Sequence, residues 1–145
     1  MRPCDAQWLR DLKLVRGVSS FSIVHATLDA PDRWGYVFDK WAAAASFSCQ
    51  TTALCFFGHT HVPLAFVKSA TLQGGAYARL QIEPGRQYLV NVGSVGEPRG
   101  GNWLAAYVIY DAATGQIELR RVAYDLETTE AKIRQAGLPP RRKSL

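Results

Sequence analysis

The chain has 145 residues, of which 48% are aliphatic, aromatic or cysteine and 20% charged. That is enough for one domain with its own core, and the balance excludes a disordered chain except at its ends. Much of the formal charge of +5 sits in Arg120-Arg121, Arg134 and a basic tail over 140–145, Arg141-Arg142-Lys143 included; a terminal charge run reads as a solvated tail, so no nucleic-acid partner is expected from it.

No apolar run approaches the roughly 20 residues of a membrane helix. No apolar stretch follows the early charge, as it would in a signal peptide. A cytoplasmic protein without membrane contact is the expectation. Cys4, Cys49 and Cys55 are odd in number and no pair is spaced C-x-x-C, which predicts reduced, mostly buried thiols rather than a disulfide framework or a cysteine–zinc site.

In chain order, 5–14 reads as a short helix with Trp8, Leu9 and Leu12 on one side, Asp5 as a cap, and Arg16-Gly17 as its break. Residues 21–25 form a strand with His25 at its end. Asp29-Ala30-Pro31-Asp32 is a turn with helix-capping carboxylates. A helix over 33–45 should follow, with Trp34, Val37, Phe38 and Trp41 forming a stripe that packs into the core.

The near-continuous apolar run 53–57 has the pattern of a strand buried on both faces, and it stops at Gly58-His59-Thr60-His61. Strands are expected over 64–68, 76–82 and 87–92, separated by turns at Gln73-Gly74-Gly75 and Glu83-Pro84-Gly85-Arg86. A hairpin joins 103–110 to 116–122, and a last helix spans 126–135, ended by Gly137 and Pro139-Pro140. One strand–helix–strand unit followed by hairpins predicts an α/β fold whose mixed sheet has a large antiparallel part.

All three histidines fall at strand ends. Residues i and i+2 of an extended chain point to the same side, so His59 and His61 can converge, with Gly58 allowing the bend. Neutral imidazole ligates zinc, iron and related divalent ions, and carboxylates or amides with a bridging hydroxide usually complete hydrolytic sites. Taken alone, His25 reads more readily as a hydrogen-bonded structural residue, whereas Gly58-His59-Thr60-His61 after an apolar strand reads as a metal-binding motif, with a structural turn as the alternative. The glycine-rich segment 91–102 is either a turn between strands or a phosphate cradle in which Arg99 holds oxygens bidentately. Asp29 and Asp32 are the nearest carboxylates in sequence to His25, in capping positions.

Phe56-Phe57-Gly58-His59-Thr60-His61-Val62-Pro63, followed by Asn91-Val92-Gly93-Ser94-Val95-Gly96-Glu97-Pro98-Arg99, resembles the bacterial and archaeal branch of the calcineurin-like metallophosphoesterases. Val24-His25-Ala26 resembles the histidine motif that precedes them in that family, and the likeness runs from about Trp8 to Pro139. It implies part of a four-layer α/β/β/α sandwich, in a single domain over 1–145 that corresponds to the C-terminal half of the family's. It also implies a hydrolase acting on phosphate esters, as a phosphodiesterase or phosphatase, through two metal ions (manganese, iron, nickel or zinc). By the same likeness, His25 and His59 share one ion and His61 holds its neighbour.

The family's aspartate-x-histidine, glycine-aspartate and glycine-asparagine-histidine motifs are absent. The one Gly-Asn pair, Gly101-Asn102, precedes Trp103 and comes after the histidine pair. Without a bridging carboxylate two adjacent dications repel, so at most one ion is expected to bind well to this chain alone. Hydrolysis by it is expected to be slow or absent, and its open sheet surface is expected to be covered by a homo-oligomer or a missing N-terminal segment.

Overall fold

A computed structural model describes residues 2–139; the basic tail lies outside the described residues. The alternation of side chains along β3 (Leu54–Phe57) sets the architecture. Leu54 and Phe56 face one way and Cys55 and Phe57 the other, and both faces are covered. Cys55, Phe57, Leu89, Phe66 and Val24 meet Val37, Ala43 and Phe47, the latter two on α2 (Lys40–Cys49). Leu54, Ala65, Tyr88 and Val90 meet Ile117 of a second sheet. Helix, sheet and sheet thus stack as three layers of the expected α/β/β/α sandwich.

The larger sheet has six strands in the order β1 (Val15–Val18), β2 (Phe21–Val24), β3, β7 (Gln87–Asn91), β4 (Ala65–Lys68) and β5 (Leu72–Gly75). β2, β3 and β7 are mutually parallel; the outer pairings are antiparallel. The smaller sheet is antiparallel, with β6 (Arg79–Gln81) and β8 (Ala105–Asp111) flanking β9 (Gln116–Val122). Helices α1 (Pro3–Arg10) and α3 (Leu126–Gln135) lie near the chain ends, and no helix among the described residues is long and apolar enough to cross a membrane.

Four local expectations are corrected. Arg16-Gly17 is no break but the middle of β1, which needs only its backbone to pair with β2. Gly74 and Gly75 belong to β5: Gly74 lies opposite Phe66, whose ring occupies the space a Cβ would take. The helix expected over 33–45 starts at Lys40, because the Asp39 carboxylate accepts from the amides of Trp41 and Ala42, both at 2.9 Å; before it come a 3₁₀ turn (Pro31–Arg33) and an irregular stretch. Asp5 is not the first cap of α1 but its third residue, accepting from the Arg2 amide and guanidinium. Of the cysteines Cys55 alone is buried, its thiol pushed up to about 11 by burial, while Cys4 and Cys49 are exposed.

On α1 and just beyond it, Trp8, Leu9, Leu12 and Leu14 are exposed. Ile23, on the face it shares with Phe21 and Phe56, is also exposed, and an open groove of about 540 Å³ runs past it between Leu14, Val108 and Tyr110 to His25.

The start of α3 depends on one carboxylate. The Thr128 hydroxyl and amide both donate to Asp125 and hold its carboxyl below the usual range. A depressed folded-state value means the cap is present above the unfolded carboxyl's pKa and is lost as pH falls through the folded one. Protection factors of the first-turn amides of α3, corrected for the intrinsic pH dependence of exchange, are therefore expected to fall on acidification through that window, and those of Asp125→Ala to be lower already at neutral pH.

Candidate metal centre

Because β2, β3 and β7 run parallel, their carboxyl ends lie along one edge, where open α/β sheets place their sites. His25 follows β2, the Gly58–His61 segment follows β3, and Asn91 ends β7. Ladder hydrogen bonds continue past the strands, from Gly58 N–H to the His25 carbonyl and from Val92 N–H to the Phe57 carbonyl, both at 3.0 Å.

The segment after β3 is not extended. His59 and His61 both have φ of 61°, in the left-handed region, so they converge by two local reversals and not by i, i+2 alternation. Four non-glycine residues among those described have positive φ: Ser19, Trp34, His59 and His61. Three of the four surround this one site, and residues held in sparsely populated regions cluster at functional sites.

Asn91 fixes the segment. Fully buried, it donates to the Gly58 carbonyl and the Thr60 hydroxyl, each at 2.6 Å, and accepts from the Gly93 amide at 2.8 Å. Tyr77 donates to the Asn91 carbonyl at 2.7 Å. Gly93, at φ 82°, lets the following loop pass close to the second sheet; a Cβ there would lie 2.6 Å from that of Ala106. The Arg99 amide donates to the His61 carbonyl, so the glycine-rich loop is tied to the histidine segment.

His25 Nε2 and His59 Nδ1 are 3.2 Å apart. Burial first, then electrostatic repulsion from the neighbouring imidazoles, lowers the pKa of His25 from its ordinary value. His61 turns aside: its Nδ1 donates to the Glu97 carbonyl at 2.8 Å, with the Glu97 carboxylate 3.7 Å away. That bond fixes the tautomer and leaves the lone pair on Nε2. Arg99 does not face a free cradle, since its guanidinium pairs with Glu97 at 3.4 Å. Asp29 accepts from Ser46 at 3.2 Å. Among the described residues no group of three or more histidines, cysteines and carboxylates is placed to hold an ion.

Sequence reasoning missed the aromatic surroundings and Glu97. Tyr36 stacks on His59 with centroids 4.4 Å apart, and Trp34 lies 5.0 Å from the His25 ring. Gly35 and Asp39, within the stripe assigned to the core, were the signals that could have separated it from a helix.

No family profile matches the chain. It is 33% identical over 118 residues to an uncharacterized protein of Methanocaldococcus jannaschii, covering 79% of this chain and 46% of that protein. Among solved structures it is similar to a metallophosphoesterase from Sphaerobacter thermophilus, at 30% identity and a TM-score of 0.83, over 96% of this chain and 60% of that one. It also shares the fold of a hypothetical protein from Pyrococcus horikoshii, at 20% identity and a TM-score of 0.64, over 92% of this chain and 49% of the other. The chain thus spans roughly half the length of the proteins it matches. Its mixed sheet and separate antiparallel sheet form a metallophosphoesterase-like fold.

Proposed function

We propose that this chain carries part of the site of a metal-dependent phosphoesterase, a hydrolase of phosphate mono- or diesters. His25 and His59 would hold one divalent ion and His61 a neighbouring one. The carrying observation is the 3.2 Å between two imidazole nitrogens: ligands at roughly 2.0–2.1 Å on adjacent positions of one ion are spaced that way. The similarity to a metallophosphoesterase supports the same reading. Manganese, iron, nickel and zinc all suit imidazole.

When bound, such ions supply a hydroxide nucleophile and absorb charge on the phosphoryl oxygens. The chain's own residues hold and orient. A neutral His25 offers its lone pair, the Glu97 carbonyl keeps His61 in one tautomer, and Arg99 can exchange Glu97 for a phosphate oxygen. The carboxylates that would bridge two ions are proposed to come from another segment or chain. The exposed apolar groove beside His25 supports a homo-oligomer or an added segment covering it. A cytoplasmic setting is part of the proposal.

A second reading, a non-catalytic binding module with a partial metal site, is favoured by the absence of a three-ligand group among the described residues. One experiment tests the metal site that both readings share. Manganese is titrated by calorimetry, nitrophenol release from bis-nitrophenyl phosphate is followed on the same sample, and light scattering gives its mass. One bound ion per chain, little or no turnover and a mass above the monomer are expected. Robust turnover abolished by His59→Ala would show the site complete in this chain or its oligomer; no affinity for any divalent ion would overturn the metal reading.

A further inference from the structure

We propose that Trp34, Tyr36 and Phe38 form a stacking platform for a planar aromatic group on the phosphate ester, such as a nucleobase. This rests on the metal-site reading above and names the substrate class of that site. The three rings stand on the irregular stretch between the 3₁₀ turn and α2. Tyr36 is sandwiched, with His59 on one face at 4.4 Å and 24° and Phe38 on the other at 5.6 Å and 13°. Trp34 closes the side, 5.0 Å from the His25 ring and 5.8 Å from the His59 ring. A ladder of parallel rings therefore leads outward from the imidazoles. Stacking uses the face of His59 and ligation its edge, so the two do not compete.

The stretch is fastened so that it displays these rings. Val37 is fully buried in the α2-side core, and Asp39 caps α2 immediately after. Trp34 takes φ of 55°, an outlier for a bulky side chain, and the chain reverses there. Even so, Trp34, Tyr36 and Phe38 remain 48%, 50% and 54% exposed. A shield for the imidazoles would need one ring. Phe38 at the outer end of the ladder and Trp34 at its side, each about half exposed, present π-surface beside the place where a phosphate would be held. Aromatic side chains bind bases through such faces with little sequence preference.

The test compares ligands that differ only in the planar group. Calorimetry with manganese present measures adenosine monophosphate against ribose phosphate, and metal-free NMR shifts of the aromatic resonances measure adenosine against ribose. Adenosine monophosphate is expected to bind about tenfold more tightly than ribose phosphate, a typical single-base stacking contribution. Phe38→Leu, which touches neither imidazole, and Trp34→Leu should bring the ratio toward one, with melting curves confirming that both remain folded. Equal affinities, or a preference that survives both substitutions, would overturn the platform whatever manganese does. If manganese fails to bind while the adenosine preference persists and is lost in Phe38→Leu, the metal reading falls and the platform stands. If Phe38→Leu instead dissolves an oligomer and adenosine shifts no ring resonance, the rings are a contact between copies and the proposal is wrong.

Discussion

Asn91→Ala is expected to destabilise the chain by about 3–5 kcal/mol, since buried groups stripped of their partner each cost roughly 1–3 kcal/mol. The side chain is fully buried at the end of β7 and serves three groups at once: the Gly58 carbonyl, the Thr60 hydroxyl and the Gly93 amide. Alanine leaves those groups without that partner. The same bonds hold the left-handed turn that carries His59 and His61, so site and stability should fail together. Urea denaturation reads the first, and the NMR resonances of the imidazoles read the second. Asn91→Asp is the discriminating control: a carboxylate still accepts from Gly93 but cannot donate to the Gly58 carbonyl. Were Asn91→Ala to cost under about 1 kcal/mol, another group would be holding the turn.

The role of Asn91 also shows where sequence reasoning reaches. β3 and β7 follow from near-continuous apolar runs, because strands covered on both faces are apolar at nearly every position; β2 and the β8–β9 hairpin, each with an open face, follow from alternation and the turn signal between β8 and β9. The placing of His25 and His59 at the ends of β2 and β3 was legible from the same patterns. β1 was not, because an edge strand pairs through backbone alone and Arg16-Gly17 gives no apolar pattern. β5 was not, because the glycine that reads as a turn serves a neighbouring Phe66 ring, a tertiary fact.

Within the site, the spacing of Trp34, Val37, Phe38 and Trp41 mimics a helix, yet only Val37 enters the core and Trp41 is 85% exposed. The capping carboxylate of Asp39 outweighed the periodicity. The bond between His61 and the Glu97 carbonyl involves a main-chain atom 36 positions away, which no side-chain pattern could announce.

His59→Ala is expected to weaken manganese binding at least about a hundredfold, since even groups that only orient a ligand are worth 10–100-fold in affinity. His25 and His59 are the one pair of imidazoles whose nitrogens stand at the spacing of two ligands on one ion. Removing His59 leaves His25 alone, with no carboxylate of the described residues grouped beside it. The fold should tolerate the change, because the ring lies at the open edge and its losses are the contacts to His25, Tyr36 and Trp34. His61→Ala should cost less, as His61 faces Glu97 and would serve a neighbouring ion that this chain alone holds weakly. The comparison that decides is Glu97→Ala. If the ion sat between His61 and the Glu97 carboxylate, that substitution would abolish binding while His59→Ala left it intact. The geometry predicts the reverse: binding retained in Glu97→Ala, whose main-chain carbonyl still orients His61, and lost in His59→Ala. Calorimetric titration of the three variants beside the unaltered chain measures the order directly.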